Sequence, residues 1–225
     1  MKTTKIIWGL FLTLAVFAIT VVLGPKCHLN SDFIAGSFMT HTIMLVLSVV
    51  LIIALRKQVN FRIAMPQFKQ TLKPLLFGFL TAVIVNITLG IITVIVSGSA
   101  EKHPGVANAS LLQFLVFDMI MAPVAEESLF RGFLQNYLRP LSDKGFTLFR
   151  RRISLPVLIS ALAFSLAHLI LIVSGVGILF LVRILVFTFA LGLIAGYYQE
   201  KHNNHVFAIL VHMAGNLMGL ISVML

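Results

Sequence analysis

The sequence predicts an all-α membrane protein, a polytopic transmembrane helical bundle with about seven spans. Of its 225 residues, 59% are hydrophobic and 11% are charged, whereas a soluble chain is about 45–50% apolar and about 25% charged. The mean hydropathy is +1.04, and long segments contain no Asp, Glu, Lys or Arg. About 20 such residues are enough for a helix to cross a bilayer. This composition excludes an ordinary soluble domain.

The hydrophobic segments are separated by polar or glycine-containing breaks. The first resembles a signal peptide, but its apolar run is long and no small-residue cleavage site follows, so we expect a retained helix. The charge-free stretch 153–182 is too long for one span, and the glycines in residues 174–177 divide it. The expected spans are residues 6–24, 35–55, 74–98, 111–134, 154–173, 177–198 and 206–225.

The basic residues alternate between the two sides of these spans very unevenly. With the N-terminus inside, 13 of the 17 Lys and Arg residues fall in inner segments; Lys26 and Lys102 fall outside, and Arg131 and Arg183 within spans. Because Lys and Arg are retained in cytoplasmic loops, we expect a cytoplasmic N-terminus. The net charge of +10 is then explained by the orientation of the chain in the lipid bilayer, and no nucleic-acid partner is expected.

Ionisable side chains inside the spans are the main functional signal. Each costs at least about 2.5–3.5 kcal/mol at membrane depth, so such groups usually face the bundle interior and have a function. The seventh span also contains Asn216, four residues after a histidine. The ionisable residues are Asp118, Glu126, Glu127 and Arg131 in the fourth span, His168 in the fifth, Arg183 in the sixth and His212 in the seventh.

The adjacent glutamates of the fourth span are expected to differ. Glu127 and Arg131 are four residues apart, so they share a helix face and can pair. Glu126 points about 100° away from Glu127 and is free to face a cavity. Arg131 would keep one carboxylate charged, and the other would exchange a proton as a general base. The alternative is a helix-end cluster that reaches the membrane interface.

The remaining polar residues recur at the same four-residue spacing. Phe164 and His168 share one face of the fifth helix, and His212 and Asn216 share one face of the seventh. Each pair alone is equally explained by packing or by interhelical hydrogen bonds. Helix rise puts Glu126 and His212 roughly 9–12 Å from the inner end and His168 roughly 21 Å from it, a mismatch in depth. Asp118 and Arg183 lie at similar depth near the outer end, so we expect a structural ion pair.

Three motifs in this order resemble a known family, the CAAX protease and bacteriocin-processing (CPBP, or Abi) family of intramembrane proteases, related to the type II CAAX prenyl endopeptidases. The resemblance covers roughly residues 111–220. It divides the chain into motif-free N-terminal helices, residues 1–110, and a motif-bearing catalytic core, residues 111–225. The motifs are Glu126-Glu127-x-x-x-Arg131 with Gly132 and Leu134, then Phe164-x-x-x-His168, then His212-x-x-x-Asn216.

The resemblance implies a helical membrane hydrolase. Glu126 would activate water, Glu127 and Arg131 would support it, and a peptide or membrane-protein substrate would be cut near the cytoplasmic face. His168, His212 and Asn216 would complete the catalytic site. The alternative is a non-proteolytic bacteriocin self-immunity or regulatory protein that acts by binding a partner. The compact chain is typical of a multi-pass bacterial plasma-membrane member, for which a prenylated substrate is not expected.

The chemistry leaves the cofactor open. Two histidines, a carboxylate and water would satisfy a catalytic zinc ion, and the family has been described as metalloproteases. The sequence contains no His-Glu-x-x-His, and Asn216 is a poor zinc ligand. These points favour the metal-free, glutamate-dependent mechanism that the family is also described as using.

Overall fold

The chain folds into seven long helical segments within the residues that the computed structural model describes: 2–27, 29, 31–99 and 109–224. A short 3₁₀ turn, Gly24–Cys27, follows the first helix, and another, His168–Ser174, continues the fifth. Residue 225 of the seventh predicted span and Lys102 lie outside the described residues. The helices are α1 (Lys2–Leu23), α2 (Phe38–Ala54), α3 (Phe68–Ser97), α4 (residues 111–137), α5 (Leu155–Ala167), α6 (Ile178–His202) and α7 (Val206–Met224).

Four of the described helices are long and apolar enough to cross a membrane: Thr3–Cys27, Phe68–Ser97, Leu155–Ser174 and Ile178–His202. Phe38–Ala54 and Val206–Leu220 are apolar but shorter. The chain is therefore a multi-pass, mainly helical membrane protein. The count of seven spans and the orientation stay predictions.

Helix α4 lies at the centre of the bundle and is not a uniform α-helix. Regular turns at Ala122–Glu127 are flanked by wider π-type turns at Phe114–Met121 and Ser128–Gln135. Such turns are rare and often occur at functional sites. Every residue from Glu127 to Gln135 is buried. The segment that carries the first motif is thus enclosed by protein.

The core around α4 contains residues from both the motif-free and the motif-bearing parts of the chain. Val16 of α1, Met44 and Ile52 of α2 and Phe164 of α5 belong to one buried cluster with apolar residues of α4. The α4 members of this cluster include Ala125, Leu129, Phe130, Phe133 and Leu134.

Glycines let α6 approach α4 and α5 closely. A methyl group placed on Gly192 would lie 2.5 Å from Arg131 Nη2 and 3.1 Å from Ala161 Cα. One placed on Gly196 would lie 2.7 Å from Gln135 Oε1. In α7, Gly215 and Gly219 similarly accommodate the side chains of Leu191 and Phe114.

Polar contacts between helices gather at one end of the bundle, which we call the basic end. Arg139 Nη1 donates to Asn203 Oδ1 at 3.1 Å, and Ser154 Oγ donates to Glu200 Oε2 at 2.6 Å. The Lys5 ammonium lies 5.0 Å from the centroid of the Tyr137 ring. Residues that the sequence assigns to inner segments therefore meet at one end.

The helical bundle fits the all-α prediction, and a two-stranded hairpin at the basic end is a small addition that the sequence analysis did not predict. β1 (Gly145–Leu148) pairs with β2 (Arg151–Ser154) in antiparallel register, with Leu148 opposite Arg151. The turn residues Phe149 and Arg150 have φ angles of 45° and 63°. Two-residue turns with positive φ normally use Asn-Gly or Asp-Gly, so this sequence does not signal the hairpin.

Candidate functional site

Glu127 is fully enclosed, and one of its oxygens accepts two hydrogen bonds. Its side chain is 1% exposed. Arg131 Nη1 donates to Glu127 Oε1 at 3.0 Å, and His212 Nδ1 donates to the same oxygen at 2.8 Å. The i/i+4 pair expected within α4 is present, and it is joined by a histidine from α7.

Arg131 is held by groups from two other helices, α5 and α6. Its guanidinium lies over the Phe164 ring of α5, with Cζ 4.4 Å from the ring centroid. Its backbone carbonyl accepts from Gln199 Nε2 of α6 at 2.8 Å. Gln199 Oε1 in turn accepts from His205 Nδ1 at 2.8 Å. These contacts connect the Glu127–Arg131 pair to the basic end.

His205 lies between α6 and α7 and is almost completely buried. Its relative exposure is 1%. Burial lowers the pKa of His205 to about 4, while the nearby charge of Glu127 opposes this shift and that of Arg131 adds to it. The ring is therefore neutral at physiological pH, with its proton on Nδ1, the atom that faces Gln199.

Glu126 has very different surroundings from its neighbour. Its side chain is 19% exposed. Oε1 lies 3.5 Å from His41 Nε2, and Oε2 lies 3.8 Å from His212 Nε2. Both distances exceed those of ordinary N–H···O hydrogen bonds, about 2.7–3.2 Å. This carboxylate thus keeps capacity to accept a proton or a hydrogen bond from a further molecule.

His212 connects the two carboxylates through its two ring nitrogens. An ionised carboxylate only accepts hydrogen bonds, so Nδ1 must carry the proton that faces Glu127. In the neutral ring Nε2 is then unprotonated, and it faces Glu126. Glu127 therefore sets both the tautomer and the direction of the imidazole.

His168 lies in the same cluster, one turn from Phe164. Its Nδ1 donates to the Phe164 carbonyl at 2.9 Å, which leaves Nε2 available. The Phe164 ring contacts the His168 ring edge-on at 5.0 Å and the His212 ring at 5.4 Å between centroids. His168 also acts electrostatically on Glu126. Phe164 thus contacts Arg131 and both imidazoles.

The predicted mismatch in depth between His168 and Glu126 is wrong, because α4 is longer than predicted and α7 begins inside the bundle. Helix α4 continues to residue 137 rather than 134, so Glu126 lies about 17 Å from its end at 1.5 Å per residue. His168 lies about 20 Å along α5 by the same measure. Helix α7 begins inside the bundle, because Asn204 and His205 before it are buried.

Asn216 contacts the backbone of α4 rather than the glutamates. Its Nδ2 donates to the Asp118 carbonyl at 2.8 Å. One N–H of this amide is therefore used to join α7 to α4. Its second N–H is not used in this contact.

The predicted Asp118–Arg183 ion pair is not found among the described residues. The charged groups that act on Asp118 are His41 and Glu126, and the Arg183 guanidinium lies 4.9 Å from the Phe180 ring centroid. Similar depth along their helices did not bring Asp118 and Arg183 together, because this part of α4 packs on α7, where Phe114 lies against Gly219.

His41 is the residue of this cluster that the sequence analysis missed. It lies on α2, in a span without a motif. A histidine within an apolar run is the same signal that identified His168. Gln199 and His205 were also missed, and no spacing marks them because both lie near a loop.

In the described part of the chain, no group of three or more His, Cys, Asp or Glu side chains is placed to hold a metal. The Nδ1 atoms of His168 and His212 are used in hydrogen bonds, which leaves their Nε2 atoms unprotonated, so the question of a cofactor stays open.

One comparison with known proteins finds a match. A family model described as Type II CAAX prenyl endopeptidase Rce1-like matches residues 108–218, which include all three motifs. No curated protein and no solved structure matches the chain. Members of this family are endopeptidases. Residues 108–218 of this chain are therefore similar to the type II CAAX prenyl endopeptidase Rce1-like family, consistent with the CPBP family that the three motifs resemble.

Proposed function

We propose that this chain is an intramembrane endopeptidase that hydrolyses a peptide bond with a water molecule activated by Glu126. The observation that supports it most is the contrast between two adjacent carboxylates. Glu127 is buried and accepts two hydrogen bonds. Glu126 is partly exposed and has only long contacts with two histidines. A general base needs such an accessible, incompletely bonded oxygen.

In the proposed reaction, Glu126 removes a proton from water as the oxygen attacks the peptide carbonyl. The carbon–oxygen bond forms, and the carbonyl oxygen becomes an oxyanion. Glu126 then returns the proton to the leaving nitrogen as the carbon–nitrogen bond breaks. The second N–H of Asn216 would stabilise the oxyanion, and the Nε2 atoms of His168 and His212 would accept hydrogen bonds from the water, in a site shielded from bulk water.

Glu127 and Arg131 support this step without touching the substrate. Arg131 keeps Glu127 ionised by its direct contact at 3.0 Å. The ionised Glu127 orients His212 so that Nε2 faces Glu126. A fixed imidazole costs no reorganisation during the reaction.

The proposed cleavage takes place near the cytoplasmic face. With the basic end in the cytoplasm, as the distribution of Lys and Arg favours, Glu126 is about 17 Å from that end by helix rise. The proposed location is the plasma membrane of a bacterium, and the proposed substrate is a peptide or a membrane-associated protein.

The test compares peptides and membrane proteins in cells that express the native chain, Glu126→Gln or Glu200→Gln at matched levels. Glu200→Gln is the control, because it makes the same chemical change at the basic end. We expect a cleavage product with the native chain and Glu200→Gln that is missing with Glu126→Gln. Identical products from all three would overturn the proposal and favour a protein that acts by binding a partner.

A further inference from the structure

We propose that His41 of α2 is a positioning residue for Glu126, an inference that rests on the function proposed above. His41 lies outside the residues that the family model matches, and none of the three motifs includes it. It would set the direction of the carboxylate that activates water.

The packing of α2 directs His41 toward α4. Phe38 contacts the Phe117 ring of α4 edge-on, with centroids 5.8 Å apart. Met44 belongs to the buried cluster around α4. His41 lies between these two anchors, and its side chain is only 13% exposed. The imidazole is thus held where it meets Glu126.

The two oxygens of Glu126 face two different imidazoles. His41 Nε2 lies 3.5 Å from Oε1, and His212 Nε2 lies 3.8 Å from Oε2. A glutamate side chain has three rotatable bonds, so one neighbour does not fix the carboxylate. His41 faces Oε1 and leaves Oε2 beside the unprotonated Nε2 of His212, where a water could donate to both acceptors.

The protonation of His41 is consistent with this role. Its Nδ1 is buried and has no hydrogen-bond partner among the described residues. A buried N–H without a partner is costly, so the proton of the neutral ring belongs on Nε2, which faces Glu126. His41 therefore directs an N–H toward the carboxylate at 3.5 Å, while Nε2 of His212 is unprotonated.

The inference gives the N-terminal helices a direct part in the site. The motif-bearing part of the chain begins after residue 110, but His41, which would orient the proposed catalytic carboxylate, lies in the motif-free part before it. Catalytic geometry must be held within about 0.5 Å, and a misplacement of about 1 Å reduces rates by about 10²-fold. Loss of the His41 donor is expected to have an effect of this size.

The experiment uses two substitutions of similar length in the full chain. His41→Gln keeps an N–H donor near the position of Nε2, and His41→Met does not. Thr42→Val is the control, since its hydroxyl donates only to Phe38 of the same helix. The readout is the rate at which the product missing with Glu126→Gln appears in cells at matched expression.

We expect His41→Met to slow this product about 10²-fold, whereas His41→Gln stays within a few-fold of the native rate and Thr42→Val equals it. A native rate with His41→Met would overturn the inference. Equal loss with Gln and Met would also overturn it, because a purely structural role does not depend on the donor.

A second measurement tests the contact between His41 and Glu126 even if the native chain produces no specific cleavage. The melting temperatures of His41→Met, Glu126→Gln and the double variant are compared in detergent. If the side chains interact, the double variant loses less than the sum of the single losses. Additive losses would overturn the inference independently of any protease activity.

Discussion

The Glu127 side and the Glu126 side of α4 differ sharply, although they begin at adjacent residues. On the Glu127 side, Arg131, His212, Gln199 and His205 form direct hydrogen bonds at 2.8–3.0 Å in a fully buried region. On the Glu126 side, the contacts are 3.5 Å or longer and the side chain is partly exposed. The difference teaches that one carboxylate is built into the structure while the other is left available for chemistry.

The largest expected effect separates these two roles directly. Glu126→Gln should reduce cleavage by about 10²–10⁴-fold, the range of general-base catalysis, with a smaller loss in melting temperature than Glu127→Gln. Glu127→Gln should lower the melting temperature as well, because it removes the charge paired with Arg131. Thermal unfolding in detergent and the cleavage assay together check this. Equal stability losses in both variants would erase the contrast.

The second prediction concerns the partner of Glu127. Arg131→Met should destabilise the protein by about 3–5 kcal/mol, because a buried carboxylate is left uncompensated. The double variant Glu127→Gln/Arg131→Met is the control and should be more stable than Arg131→Met alone, since no buried charge remains. Thermal unfolding of the three variants measures the difference. If the double variant were the least stable, the ion pair between Glu127 and Arg131 would not be the interaction that stabilises this region.

Local contacts of the candidate site could be predicted from sequence because helical spacing is fixed. Four residues separate Glu127 from Arg131 and Phe164 from His168, so their proximity within one helix follows from 3.6 residues per turn. The same reasoning cannot show that His212 turns Nδ1 to Glu127, because that contact depends on how α7 packs on α4. His41 was missed for the same reason.

The errors in the fold also have physical causes. Depth was measured from loop positions, but the loop before α7 is buried, and α4 continues past Leu134 through Gln135, whose Nε2 donates to Gly196 O at 2.9 Å. The hairpin was missed because its turn uses Phe149 and Arg150 in a conformation that favours Asn and Gly. Tertiary contacts, which the sequence pattern does not record, decided each case.

The third prediction tests the close packing on the Glu127 side. Gly192→Ala would place a methyl group 2.5 Å from Arg131 Nη2, so the guanidinium must shift. We expect a loss of about 1–3 kcal/mol, as for other overpacked sites. Gly90→Ala of α3 is the control, since its nearest atom would be 3.7 Å away. Melting temperatures of both variants are compared, and similar values would show that this close approach is not tight.

The smallest expected effect tests how far the Glu127 side extends toward the basic end. Burial lowers the pKa of His205 to about 4, below the value of about 6.5 in an unfolded chain. The unfolded state therefore binds more protons below pH 6.5, and stability falls as the pH falls from 6.5 toward 4. At pH 5.5 the loss is about 1.4 kcal/mol. Melting temperatures at pH 7.5 and 5.5 measure it.

His205→Asn is the control for this pH dependence, because its amide can still donate to Gln199 while it does not titrate. The variant should lose less stability between pH 7.5 and 5.5 than the native chain, even though other histidines still titrate in both. If both proteins lost the same amount, His205 would not be buried in its neutral form. The series of hydrogen bonds from Glu127 through Arg131 and Gln199 would then not extend to the basic end of the bundle.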